Sequence, residues 1–224
     1  LKLLIAVITC HKNIYAPQKI RETWSDEHVR FFYGGGDRTA LPDEVFLEVP
    51  DTYMGLPLKV QAAIKWAKEN GYTHFFKCDD DAYVRLDRLL KSGFEKYYYV
   101  GMKVRAYVGG NYLEYMHGGA GYWLSPQSMD MVIAAPIFGK SEDGWVAKVL
   151  AEKGIKGKHD ERLIYRRRVY KDPFPATPTP DNELITSAEF SPEEMHRVHR
   201  LWKGIDLTDA MSADEYKQYI RRSI

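Results

Sequence analysis

The stretch HFFKCDDDAYVR, residues 74–85, decides the fold. An apolar, aromatic run ending in Cys78 drives straight into three consecutive carboxylates, Asp79, Asp80 and Asp81. One Asp after a strand is ordinary turn chemistry. Three in a row repel one another, and each prefers water or a cation. YTHFFKC therefore reads as a strand, and the triplet as whatever that strand delivers at its carboxyl end.

The segments before it supply the rest of a sheet. LKLLIAVITC is a short, continuously apolar strand of the kind buried on both faces. APQKIRETWSD reads as a helix with Pro17 in its first turn. VRFFYGGGD is a second strand ending in a glycine-rich turn, and EVFLEVP a third, stopped by Pro50. In LKVQAAIKWAKENG, Val60, Ala63, Ile64 and Ala67 recur at helical spacing and Asn70-Gly71 marks the stop. Strand, helix, strand, strand, helix, strand predicts an α/β fold with a Rossmann-like, mostly parallel central sheet. In such sheets ligands bind beyond the carboxyl ends of the strands.

After the triplet, LDRLLKSGF reads as helix, and YYYVGMKV and GAGYWLS as strands. SPQSMDMVIAA and SEDGWVAKVLAEKG are helices capped by Ser125 and Ser141. DPFPATPTPDN is proline-rich. The chain thus divides into a domain over 1–170, a connector over 171–190 and a helical tail over 191–224. Two capping patterns, SPEE from Ser191 and SADE from Ser212, open the tail helices. That tail is expected to pack on the domain or on a partner.

Composition excludes several classes. With 32 basic and 31 acidic residues the net charge is +1, so no bulk field draws the chain to nucleic acid or membrane. No apolar run reaches membrane-spanning length. The two cysteines, Cys10 and Cys78, each end a strand-like run and read as free thiols. Few cysteines and no visible leader point to a cytoplasmic, microbial or viral setting. The alternative is the lumenal domain of a protein whose membrane anchor has been trimmed.

The triplet itself has three readings: a solvated acidic turn, a calcium loop, or carboxylates holding a divalent cation for a phosphorylated substrate. The alternating ligands and glycine of an EF-hand are missing. Mg²⁺ and Mn²⁺ typically take one or two protein carboxylates and complete their shell with phosphate oxygens and water.

Five segments in order resemble family 31 glycosyltransferases, which include β-1,3-galactosyltransferases, N-acetylglucosaminyltransferases and Fringe. They are KIRETW (19–24), DTYMGLPLK (51–59), DDD (79–81), GGAGYWLS (118–125) and EDGWVAKVL (142–150). Gly144 stands where the family has Val after ED, and Pro57 where it has Thr. The resemblance implies a GT-A nucleotide-sugar fold and a metal-dependent, inverting transfer of a sugar from a UDP-sugar donor to a hydroxyl of a glycan acceptor. It implies Mn²⁺ (or Mg²⁺) as cofactor, with Asp81 and His159 as metal ligands and Asp160 orienting His159. Asp143 is implied as the base; a carboxylate just after the Ser141 cap is favoured by the helix dipole, although acidic residues are also ordinary helix starters. Thr9, Arg21, Asp51, Lys59, Asp79, Asp80, Gly119, Ala120 and Gly121 are implied to line the donor. Tyr122, Trp123 and Trp145 can stack on sugars or pack a core, and the basic RLIYRRRVYK (162–171) can meet an anion or cover a strand edge. The alternatives are a catalytically inactive nucleotide-sugar or carbohydrate-binding module of the same fold, and a metal-dependent phosphohydrolase or nucleotidyltransferase.

Overall fold

The computed structural model describes residues 1–108, 111–165 and 183–203. Its first eighty residues follow the expected alternation: β1 (Leu3–Ile8), α1 (Tyr15–Thr23), β2 (Val29–Gly34), β3 (Glu44–Leu47), α2 (Leu56–Glu69) and β4 (His74–Asp79). β1 pairs in parallel with β2 on one side and with β4 on the other, and β3 pairs in parallel with β2. The chain runs outward from β1 to β3, then returns to lay β4 on the opposite flank. The crevice beyond the carboxyl ends of β1 and β4 is therefore the switch point at which such sheets bind ligands. The aspartate triplet stands there.

Past the triplet come β5 (Tyr83–Val84) and α3 (Leu86–Leu89). The helix expected over LDRLLKSGF lasts a single turn. The Ser92 hydroxyl bonds back to the Leu89 carbonyl at 2.8 Å, and Gly93 turns the chain with φ +80°. The run YYYVGMKV breaks at Met102 into β6 (Tyr99–Gly101) and β7 (Lys103–Val108), and β7 forms a hairpin with β8 (Asn111–Met116) that the sequence did not announce. β9 (Tyr122–Leu124), α4 (Pro126–Ala134) and α5 (Glu142–Glu152) lie where expected. Ser125 and Ser141 cap the two helices, each hydroxyl accepting the amide three residues on. β9 slots antiparallel between β4 and β6, and β10 (Lys158–His159) adds to β6 in parallel. The seven-stranded order is β10-β6-β9-β4-β1-β2-β3.

Alternation along the strands divides the core in two. Ile5, Val7, Phe31, Phe76 and Trp123 face α1; Leu4, Ala6, Phe32, Phe75 and Leu124 face α2, α4 and α5. A small second sheet contains β11 (Leu163–Tyr165), β12 (Thr186–Ala188) and β5. The expected connector is thus corrected over 183–190. Thr186, Ser187 and Ala188 are buried in strand pairing, because β5 has a free antiparallel edge to receive them. α6 (Pro192–Trp202) puts Met195 and Val198 into the same core as α1. The tail up to Lys203 packs on the domain. The SADE helix, residues 166–171 of the basic cluster and residues 171–182 of the connector lie outside the described residues. Both cysteines are free, Cys78 buried and Cys10 partly so. Among the described residues no helix is long and apolar enough to cross a membrane.

Candidate active site

Each carboxylate of the triplet meets a different environment. Asp80 is buried, and its Oδ2 accepts from the Thr9 hydroxyl at 2.5 Å and the Asn13 amide at 2.9 Å. These bonds tie the turn after β4 to the turn after β1, across the switch point. Asp79 takes the ammonium of Lys77 on Oδ1 at 2.6 Å. Asp81 has backbone amide support from Glu189, yet its Oδ1 is buried with no hydrogen-bond partner among the described residues. Burial, then the charges of Asp79 and Asp80, push its pKa up to about 7. Burial raises Asp80 as well, although Thr9 and Asn13 oppose it. Trp24, from KIRETW, fixes the turn by donating its indole N–H to the Ala82 carbonyl at 3.0 Å.

Lys77 links the triplet to the start of α5. It is wholly buried, 2.6 Å from Asp79 Oδ1 and 3.2 Å from Glu142 Oε2. Burial by itself lowers the pKa of an ammonium, but Asp79 and Glu142 outweigh it and the net shift is upward. Glu142 spends its other oxygen on the Tyr122 hydroxyl. Neighbouring Asp143 is differently placed. Its Oδ1 accepts from the Ser141 hydroxyl at 2.5 Å and the Gly144 amide at 2.8 Å, whereas Oδ2 has only a long 3.3 Å bond from the Gly118 amide. Of the pair, Glu142 is a brace and Asp143 retains a lone pair to use.

The glycine run closes the gap between them. A methyl built on Gly118 would lie 2.8 Å from Lys77 Nζ and 2.9 Å from Glu142 Oε2; one on Gly119 would lie 3.2 Å from the His117 ring and 3.4 Å from Asp79 Oδ2. Gly121 answers a packing need instead, since it has φ +94° and a methyl there would run into the Phe76 ring. Ala120 is buried and accepts the Thr186 hydroxyl on its carbonyl at 2.6 Å.

Sequence reasoning missed four participants. His117 lies within the fields of Asp79 and Asp143, its ring tilted at 32° against that of Tyr165 with 3.9 Å between centroids, and burial lowers its pKa against the pull of both carboxylates. Glu189 holds an uncommon positive φ of 69° and accepts from the Tyr165 hydroxyl. Lys77 and Asn13 complete the set. His117 had a signal, because it directly precedes the glycine run; Glu189 had none, because it lies in what reads as connector.

Several expected donor contacts are otherwise engaged. Asp51 accepts from the His11 amide at 2.7 Å, the Gly34 amide at 3.0 Å and Lys59 at 2.5 Å. Lys59 is buried and also bonds the Thr9 carbonyl at 2.8 Å. The pair is a strut beneath the β1 turn. Arg21 grips Asp43 through two nitrogens at 2.7 and 2.8 Å and Glu44 at 2.9 Å. Glu44 opens β3 and pairs with Phe31 in mid-β2, well below the carboxyl edge, so Arg21 braces α1 on the sheet.

His159 is also corrected as a ligand. It lies in one register row with Gly101, Tyr122 and Lys77, three strand spacings from β4. That is roughly 14 Å before Asp81 is even reached. Its Nδ1 accepts the Lys103 amide at 3.0 Å. Asp160 binds Arg162 through both oxygens, at 2.8 and 2.7 Å, in place of orienting His159. Tyr122, Trp123 and Trp145 are core residues. Among the described residues no group of three His, Cys, Asp or Glu side chains forms a ready-made metal cage.

An α/β sheet presents an acidic turn at its switch point, facing a helix-start carboxylate, and sequence comparison makes the chain glycosyltransferase-like. In particular, it is 24% identical over 247 residues to beta-1,3-galactosyltransferase 1 of Mus musculus and to that of Homo sapiens, covering 88% of this chain and 72% of each relative. No protein-family model matches the chain. Among solved structures, it is similar to a glycosyltransferase involved in glycosylation of the major capsid of PBCV-1, at 16% identity and TM-score 0.46, over 87% of this chain and 97% of that one.

Proposed function

We propose that the protein is an inverting, family 31-type glycosyltransferase of GT-A fold that moves a hexosyl group from a UDP-sugar to a glycan hydroxyl. The observation that carries this reading is the meeting of Asp79–Asp81 with Asp143 through Lys77, Glu142 and Gly118 at the switch point. Galactosyl transfer is what the relatives' name describes, so UDP-galactose is the first donor to try.

The donor set fits Mn²⁺ or Mg²⁺: all-oxygen carboxylates suit a hard cation, and Asp81 Oδ1 is a buried acceptor with no partner among the described residues. Asp81, with Asp79 beside it, would hold the ion, the remaining ligands coming from the diphosphate and water. Such an ion offsets charge on the departing UDP. His159 is dropped from this ligand set on the register argument above.

The chain's own residues do the rest. Thr9 and Asn13 fix Asp80 and hold the two turns together around the donor. Lys77 and Glu142 keep the floor rigid and dry. Asp143 Oδ2 accepts the proton as the acceptor oxygen bonds to the anomeric carbon and the bond to the β-phosphate oxygen breaks. One base and no opposed nucleophile among the described residues fit a single displacement, hence inversion.

The test is Asp143→Asn. Transfer from UDP-galactose, UDP-glucose or UDP-N-acetylglucosamine with Mn²⁺ should fall about 10²–10⁴-fold, while calorimetric UDP binding stays unchanged. Undiminished transfer removes Asp143 from the mechanism. A parent protein that turns over none of these donors, or that releases inorganic phosphate instead of UDP, overturns the reading.

A further inference from the structure

A cavity of about 570 Å³ opens at the outer edge of the large sheet, under β6, β9 and β10, and none of the reaction-site side chains line it. Its volume suits a small organic ligand. Phe94 and Trp123 form its apolar wall, and their rings stack at 3.9 Å with 12° between planes. Phe76 packs against Trp123 from another side at 5.1 Å. With its faces occupied, the indole has its rim left to offer. Trp123 is 2% exposed, and its Nε1 is a buried donor with no acceptor among the described residues. A buried N–H without a partner carries a penalty that an acceptor on a ligand removes.

The polar lining narrows the ligand class. His159 accepts the Lys103 amide on Nδ1, which leaves Nε2 as the donor of the neutral ring. Lys158 adds a cationic group, and Glu161 and Glu183 contribute carboxylates. Arg162 and Asp160 are satisfied by each other, and Arg162 also holds the Ser92 carbonyl at 3.0 Å. A simple anion would meet the glutamates. A bare cation would meet Lys158 and the indole N–H. A neutral, hydroxyl-rich molecule serves both, because each hydroxyl donates and accepts.

We infer that this cavity is a saccharide-binding site, separate from the reaction centre, in which Trp123 Nε1 and His159 Nε2 donate to sugar hydroxyls. The inference goes beyond the proposed transfer and does not require it.

The test follows the Trp123 indole resonance in ¹H–¹⁵N spectra of the full chain during titration with galactose, glucose, N-acetylglucosamine and lactose, with inorganic phosphate and MgCl₂ as comparison ligands. At least one sugar should move that resonance to saturation, and neither salt should. His159→Ala, a change at an exposed position, should weaken the sugar about 2- to 10-fold by the same probe. Trp123→Phe keeps the stack but removes the N–H, and should weaken it similarly, read from the Lys103 amide. Response to phosphate or magnesium alone, no response to any sugar, or unchanged affinity in His159→Ala overturns the assignment. Donor turnover measured on the same preparations reports separately on the transferase reading, so either can fail without the other.

Discussion

Two acidic corners stand at the carboxyl edge of the same sheet, and they are built on opposite terms. After β3, Asp51 receives two backbone amides and the Lys59 ammonium; burial would raise its pKa, yet these three donors bring it below the usual carboxylate value. After β4, Asp79, Glu142 and the more distant Asp143 share the Lys77 ammonium, and Asp81 Oδ1 has no partner among the described residues. The first corner is complete within the polypeptide. The second holds more negative charge than the described residues offset, with Asp80, Asp81 and Glu142 all pushed upward. The difference separates carboxylates that are architecture from those that the proposed cation would serve. An Asp in a recognisable motif is no guide by itself, because Asp51 and Asp81 both belong to one.

The comparison can be broken first at its lysines. Lys77→Met strands Asp79 and Glu142 around a buried apolar chain, and removing one partner of a buried pair costs about 3–5 kcal/mol. Urea unfolding at pH 8 should show that loss; a change below about 1 kcal/mol would mean that Lys77 is not holding the site together. Asp51→Asn is the matching cut at the other corner and should cost less, about 2 kcal/mol, since the amide still accepts from one or two of the three donors. Its pH dependence has a definite sign. The folded pKa is depressed, so the stabilisation is present above the unfolded value near 4 and is lost as pH falls through the folded value. Parent and Asp51→Asn curves should therefore converge in acid and separate at neutral pH. Convergence at neutral pH instead would make Asp51 a bystander.

This division between corners was half legible in the sequence. The Rossmann-like order followed from apolar runs alternating with a helical period, because strands buried on both faces leave a one-dimensional trace. The placement of Asp79–Asp81 and Asp143 followed from motif order, and the capping of α5 from Ser141. What the sequence did not reveal depends on pairings between distant segments. Lys59 and Arg21 are implied as donor contacts, since nothing local says that Asp51 or Asp43 and Glu44 will be folded against them. His159 followed the motif's order along the chain, but two intervening strands set the real separation. Glu189 reaches the site only because β12 pairs with β5, a two-residue strand too short to carry a pattern.

The smallest effect is also the sharpest, because its sign is the reverse of ordinary carboxylate behaviour. Asp81 is raised to about 7 by burial and by Asp79 and Asp80. In the unfolded chain it titrates near 4, so between about pH 4 and 7 the folded state holds a proton that the unfolded state has released, and stability declines as pH rises through that window. Asp81→Asn abolishes this dependence while preserving shape. At pH 8 it should be the more stable of the two, and the gain should vanish near pH 4. Mn²⁺ with UDP should then invert the order. Bound at about 100 times its dissociation constant, the ligand pair stabilises the parent by about 2.7 kcal/mol, and Asp81→Asn, lacking the charge that attracts the ion, should gain much less. Thermal unfolding of both proteins at about pH 4 and pH 8, with and without Mn²⁺ and UDP, reads all of this. A destabilised Asp81→Asn at pH 8 without metal would place Asp81 with Asp51, as a satisfied strut, and the contrast between the two corners would collapse.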